Sequence, residues 1–185
     1  MRPLPTPLSL AALAVAVAGC ASAAPSATNA VGAAAQDSAP FHWTDPSGAR
    51  TTSPEPDHDY ALVVVQVPRR ADGPSNGADT RIYLFSARDG QSTATLALGP
   101  LPFPRTEQSI AAQYDGAVVT KVPGVVAGRT VECWHYKDRL HLYSTCQAPL
   151  PAGKGRDLPV TVDLIANSPE RLAALEAAFS RIQLD

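Results

Sequence analysis

The sequence predicts an α+β fold in which a mostly antiparallel β-sheet packs against a long C-terminal α-helix. Short segments rich in β-branched and aromatic residues recur between Gly and Pro turns over residues 60–166, which is typical of strands. Two pairs of these segments lie close enough along the chain to form hairpins. Beyond them, apolar residues recur at helical spacing over 172–182. With 45% hydrophobic residues, the 185-residue chain can build one core.

The first predicted strand, Tyr60–Val67, is almost continuously apolar and β-branched, which predicts a central strand buried on both faces. Residues 80–87 and 92–98 also favour strands. The Asp-Gly pair within 88–90 supplies the turn of a hairpin between these two segments.

The middle of the chain predicts one short helix and one further strand. The helix is expected over 107–114, with Thr106 as its N-cap. Residues 117–122 favour a strand, and Pro123-Gly124 directly after them predicts a turn.

Residues 130–136 and 139–146 predict a second hairpin. Opposed residues of an antiparallel pair face the same side, so the apolar side chains collect on one predicted core face. This face carries Val131, Cys133, Leu140, Leu142 and Cys146. The register stays open: a turn at Lys137-Asp138 sets Cys133 opposite Leu142, whereas a wider loop from Asp138 to His141 sets Cys133 opposite Cys146.

The C-terminal part predicts a last strand at 158–166 and a helix after it. Ser168-Pro169-Glu170 is typical of a helix start, with a capping serine, proline at the first helical position and an early acid. The apolar residues at helical spacing are Leu172, Leu175, Phe179 and Ile182. A helix with one apolar face is expected to pack on the sheet.

The N-terminal residues resemble the signal of a bacterial lipoprotein. Arg2 supplies the positive end, residues 8–18 are apolar, and Val17-Ala18-Gly19-Cys20 is similar to a lipobox, in which the cysteine is lipidated. The apolar run is too short, and too close to upstream prolines, for a permanent membrane span. Cys20 is therefore the predicted lipidation site. The alternative is cleavage beyond Cys20, which releases a soluble exported protein.

This resemblance implies a cell-envelope protein whose acyl chains make the membrane its partner. Ala21 after the cysteine is similar to the pattern of lipoproteins sent to the outer membrane, where they face the periplasm. The predicted organisation is a signal peptide at 1–19, a disordered Ala/Ser/Pro-rich tether at 20–57 and a single α+β domain at 58–185. Within the tether, Phe41-His42-Trp43 either docks on the domain's own surface or serves as an exposed partner-binding motif.

The remaining cysteines are Cys133 and Cys146 once Cys20 is assigned to lipid. An even remainder in an oxidising compartment indicates one disulfide. Buried free thiols or a metal or redox site are the alternatives, although the sequence has no Cys-x-x-Cys spacing.

Composition and motifs exclude several classes of function. The formal net charge is −2 and no dense basic patch exists beyond Arg69-Arg70 and the pair at 154–156, so nucleic acid is not expected as a partner. Phosphate-binding loops, nucleophile elbows and zinc motifs are missing from the sequence, and we predict no catalytic residue, metal or cofactor. The compact cluster Asp57-His58-Asp59 is interpreted as a solvated segment.

The opposite face of the second hairpin is the candidate binding face, because aromatic rings with a few polar groups suit a ligand or partner. It carries Glu132, Trp134, Tyr136, Arg139, His141 and Tyr143. One alternative is that a helix or the tether covers these rings. Another is a hydrolase in which His141 acts as the base, with Glu132 or Asp138 orienting it.

In the last third of the chain, a hydrophobic hairpin is followed by the strand 160–165 and by a helix that closes with Phe179-Ser180-Arg181-Ile182. This succession resembles the PsbP-like superfamily, whose bacterial members include small exported lipoproteins. The resemblance implies an antiparallel sheet closed by the last helix and a non-enzymatic accessory domain. We therefore expect a lipid-anchored envelope protein that binds a partner protein or a small ligand; an envelope hydrolase and a structural or assembly lipoprotein are the alternatives.

Overall fold

The computed structural model describes residues 39–55, 58–67, 80–101, 105–152 and 156–185. The predicted signal peptide, Cys20 and residues 20–38 of the predicted tether lie outside these residues. The described strands are β1 (Phe41–Thr44), β2 (Arg50–Thr51), β3 (Tyr60–Val67), β4 (Thr80–Ala87), β5 (Ser92–Leu98), β6 (Thr120–Val126), β7 (Arg129–Lys137), β8 (Leu142–Ala152), β9 (Arg156–Ala166) and β10 (Ile182–Leu184). The described helices are α1 (Glu107–Gln113) and α2 (Pro169–Ser180).

Seven of the strands form one antiparallel sheet in the order β3-β4-β5-β9-β8-β7-β6. A second, three-stranded sheet has the order β10-β1-β2. The α+β class with mostly antiparallel pairing is confirmed. The C-terminal helix α2 has 12 residues, about three turns.

The main core lies between the seven-stranded sheet and α2. Alternate residues of the central strand β9, among them Val162 and Leu164, point towards α2, whose Leu175 and Phe179 are fully buried against them. The helix begins as predicted, because the Ser168 hydroxyl accepts a hydrogen bond from the backbone N–H of Arg171. On the opposite face, the short helix α1 buries Ile110.

The prediction that Tyr60–Val67 is a central strand is wrong. β3 pairs only with β4 in the described part of the chain and forms one edge of the sheet. Val63 is 54% exposed, and its neighbours Val64 and Val65 are also exposed. Valine favours extended backbone wherever a strand lies, so its preference does not report how many neighbours the strand has.

The predicted turn at Pro123-Gly124 is also wrong, since both residues lie within β6. Proline is tolerated there because β6 is the other edge of the sheet, where some N–H groups have no strand partner. The turn between β6 and β7 is Ala127-Gly128, and both residues have positive φ, at 50° and 71°. Two successive positive φ values are typical of a type I′ hairpin turn.

The folded domain begins earlier than the predicted boundary at residue 58. Phe41 and Trp43 are buried in the main core, and β1 pairs with both β2 and β10. The Trp43 ring lies 5.5 Å from the Phe179 ring, so the aromatic pair fills space between the sheet and α2. Residues 39–55 are therefore part of the domain instead of the tether.

The second hairpin has the wider of the two loops that the sequence left open. Lys137 pairs with Leu142, the loop spans 138–141, and Cys133 lies opposite Cys146. Leu140, which is predicted on the core face, is 75% exposed. This prediction is wrong because Leu140 belongs to the loop, where strand alternation does not apply.

Candidate functional site

The aromatic part of the predicted binding face lies beneath α1. Tyr136 and Tyr143 stack with ring centroids 4.8 Å apart, and the ring of Tyr114, directly after α1, is 4.9 Å from each of them. Both stacked tyrosines are buried, and Trp134 packs against the same cluster. A helix therefore covers these rings, as one of the alternatives proposed, although the covering helix is α1 and not α2.

The polar residues of this face are spread along the hairpin. Glu132 forms an exposed ion pair with Lys121 of β6. Arg139 and His141 lie in the loop 138–141, and the His141 ring is 6.1 Å from the Tyr143 ring. Glu132 lies five positions before Lys137, the loop end of β7, which is about 17 Å along a strand. The structure does not bring Glu132 and His141 together as a base and its orienting group. The other predicted orienting group, Asp138, has its Oδ1 atom 3.7 Å from the His141 Nδ1 atom.

Asp138 organises this loop. Its carboxylate accepts hydrogen bonds from the backbone N–H groups of Leu140 and His141, both at 2.7 Å, and from the Tyr143 hydroxyl at 2.6 Å. The Tyr143 hydrogen bond, followed by the two backbone bonds, lowers the pKa of Asp138 to about 2. The observed role of this carboxylate is to hold the loop in shape.

Replacement of Tyr143 by phenylalanine is expected to raise the pKa of Asp138, because the largest cause of its lowering is lost. In the wild type the carboxylate stabilises the fold above the ordinary aspartate pKa of about 3.9, and this contribution disappears as the pH falls through about 2. An NMR titration of the Asp138 carboxyl carbon measures the change. Tyr136→Phe is the control, because the Tyr136 hydroxyl bonds to Thr145 instead. A wild-type pKa near 3.9 contradicts the prediction.

A cleft of about 300 Å³ lies on the other face of the sheet, between α2 and the strands β6 and β7. Nearly all of the side chains around it are apolar. They are Val122, Pro123, Val125, Val126, Cys133, Cys146, Val162, Leu164 and Phe179. Gly124 also lines the cleft, and its polar members are His135 and Glu176. A mostly apolar cleft with a few convergent polar groups is the usual form of a ligand site.

The disulfide between Cys133 and Cys146 lines this cleft. The two residues face each other across β7 and β8 with their Cα atoms 4.2 Å apart, so the predicted bridge is confirmed. A side chain on Gly124 of the neighbouring strand β6 would collide with the Cys133 sulfur. Glycine at this position therefore lets the edge strand approach the disulfide.

His135 and Glu176 form the polar end of the cleft. The His135 Nε2 atom lies 2.7 Å from the Glu176 Oε1 atom, and both side chains are partly exposed. At the other end, the backbone N–H groups of Ala127 and Gly128 donate to the carbonyls of Phe179 and Ser180 at 3.1 and 2.8 Å. These two bonds attach the β6–β7 turn to the end of α2 and close the cleft there.

Sequence patterns do not predict this cleft. Strand alternation in β7 places His135 on the same face as Cys133, but it does not indicate the helix residue that meets His135. Glu176 lies four residues after Leu172, a spacing that places it on the apolar face of the helix. A carboxylate at such a position is the one feature of the sequence that could have indicated a site beneath this helix.

A second polar cluster ties the N-terminal segment to α2. Arg171 Nη1 lies 3.4 Å from Glu55 Oε2, and its Nη2 donates to the Ser92 hydroxyl at 3.0 Å. The Tyr60 hydroxyl bonds both Glu55 and Ser92. His58, predicted in a solvated segment, is half-exposed and contacts Arg171. This cluster fastens three parts of the chain, and Ser92 is buried within it.

Comparison with protein-family models, curated proteins and solved structures finds no match to this chain. Among the described residues, no three His, Cys, Asp or Glu side chains come together in a way that holds a metal ion. In the same part of the chain, neither helix is long and apolar enough to cross a bilayer.

Proposed function

We propose that this protein is a lipid-anchored envelope domain that binds a small apolar ligand in the cleft beneath α2, without catalysing a reaction. The observation that carries the proposal is the cleft itself, with its apolar walls, one closed end and one polar end. Water in such a space makes few hydrogen bonds, so its displacement by an apolar group makes the free energy of binding more favourable.

The resemblance of residues 17–20 to a lipobox supports the envelope location, with Cys20 as the anchor and the outer membrane as the proposed site. The disulfide supports an oxidising compartment, because such bridges persist outside the cytosol. The resemblance of the last third to the PsbP-like superfamily supports a binding role. A hydrolase on the opposite face is less well supported, because α1 covers its aromatic rings and Glu132 lies far from His141. Asp138 lies 3.7 Å from His141, but its carboxylate already accepts hydrogen bonds from the loop backbone and from Tyr143.

The proposal is tested with the full chain in lipid nanodiscs and a neutral ten-carbon alkyl diazirine as a photoreactive probe. We expect labelling of β6 and of the α2 segment around Glu176 and Phe179, mapped by mass spectrometry of peptides. Val122→Trp, which places a large ring at the rim of the cleft, is expected to reduce this labelling about tenfold, which corresponds to about 1.4 kcal/mol.

The matched control is Val118→Trp, because Val118 is 84% exposed and is not among the residues that line the cleft. It is expected to leave the labelling of β6 and α2 unchanged. Thermal unfolding of both variants shows whether the fold is retained. Labelling that is absent from the wild type, or equal in all three proteins, contradicts ligand binding in the cleft.

A further inference from the structure

Among the described residues, the cleft presents a carboxylate and no permanent positive charge. No lysine or arginine is found among the described residues that line it. Glu176 uses Oε1 for the contact with His135, and Oε2 has no hydrogen-bond partner in the described part of the chain. The His135–Glu176 pair has a net charge of minus one when the imidazole is neutral and zero when it is protonated, never a positive one. The polar end of the cleft therefore attracts a cationic group and does not attract an anionic one.

The shape of the cleft indicates the orientation of a bound ligand. Glu176 lies one turn before Phe179 on α2, and His135 lies two residues beyond Cys133 on β7. The polar pair therefore occupies one end, and Phe179 with Val126 occupies the other, where the β6–β7 turn closes the space. A ligand that satisfies both ends has a polar head at Glu176 and an apolar tail that points towards Phe179.

The cleft has a volume of about 300 Å³, at the lower end of the range of about 300–1,000 Å³ for ligand pockets. It is therefore suited to a small ligand with one unbranched alkyl tail.

We infer that the cleft binds a single-chain amphiphile with a primary ammonium head, which donates to the free oxygen of Glu176 while its tail passes over the disulfide towards Phe179. This inference rests on the proposed function, since it concerns the same cleft. It adds the charge of the head, the number of chains and their orientation. A charge-assisted hydrogen bond between ammonium and carboxylate accounts for the selectivity.

The experiment is competition against the alkyl diazirine in nanodiscs that hold the full chain. The competitors are decylamine, decanol and decanoic acid, which share one tail and differ in the head. Each competitor partitions into the nanodisc lipid to the same extent whichever variant is present. Differences in its potency between variants therefore do not come from lipid partitioning. In Glu176→Gln we expect decylamine to become about tenfold less potent, while decanol stays within about twofold, because only the ammonium gains from the charge.

Glu132→Gln is the matched control, because it removes the same charge from the opposite face of β7, outside the cleft. It is expected to leave the potency of decylamine unchanged. Decylamine that is equally potent against the wild type and Glu176→Gln, or decanoic acid that competes best against the wild type, overturns the inference. In both of these cases the probe still labels the cleft, so the proposed function stands; if the probe itself does not label the cleft, the proposed function fails.

Discussion

Replacement of Trp43 by alanine is expected to lower the free energy of unfolding by about 3–5 kcal/mol, the range for removal of a large buried aromatic side chain. The Trp43 residue is 2% exposed and its ring makes edge-to-face contacts with Phe41, Phe85 and Phe179 at centroid distances of 5.4, 5.7 and 5.5 Å. Its loss leaves a cavity between the small sheet and α2. Denaturant unfolding followed by circular dichroism measures the change.

Two variants separate packing from other effects at this position. Trp43→Phe retains an aromatic ring and removes the indole N–H, which has no hydrogen-bond partner among the described residues, so a smaller loss is expected. Thr44→Ala changes the next residue of β1, which is only partly buried, and is expected to cost less than about 1 kcal/mol. A loss below 1 kcal/mol for Trp43→Ala is incompatible with a core position for β1.

Replacement of Arg171 by alanine is expected to destabilise the protein by about 3–5 kcal/mol, because it leaves the buried carboxylate of Glu55 without its cation. The side chains of Arg171 and Glu55 are only 14% and 10% exposed. The Ser92 hydroxyl loses its arginine donor at the same time. Chemical denaturation at pH 7 measures the effect.

The matched control is Arg88→Ala. Arg88 pairs with Asp59 at 2.9 Å, but both side chains are 65% exposed, so a loss of about 0–1 kcal/mol is expected. The double replacement Glu55→Leu with Arg171→Met removes both charges and is expected to be less destabilising than Arg171→Ala alone. If Arg171→Ala costs no more than Arg88→Ala, the Glu55–Arg171 pair does not stabilise the fold as described.

Local patterns were sufficient to predict most of the elements. The caps at Thr106 and Ser168 were recognised because their side chains act within three residues along the chain. The position of a strand within the sheet could not be predicted in this way, because the valines of β3 have the same backbone preference at an edge as in the centre. The strand that holds Phe41 and Trp43 is not evident from the sequence, because a four-residue strand in a polar context produces no periodic signal.

The candidate site could be predicted only in part. The cysteine count and the compartment indicate the pairing of Cys133 with Cys146, whereas the sequence leaves the hairpin register open between two loops. The cleft depends on how α2 is rotated and how closely it approaches the sheet, and these are set by Phe179 and by the attachment of the β6–β7 turn. Such contacts join residues that are more than 40 positions apart, which a local pattern does not report.

The disulfide also has a consequence for the folding of the chain. Cys133 and Cys146 are 13 residues apart, so the loop between them closes at a small entropic cost, early and independently of the distant strands. Once the disulfide has formed, β7 and β8 cannot slide past each other by one residue. Such a shift would turn Val131, Leu142 and Leu150 to the wrong side of the sheet. β9 then pairs with a hairpin whose register is already fixed, so fewer misaligned pairings can form before the sheet is complete.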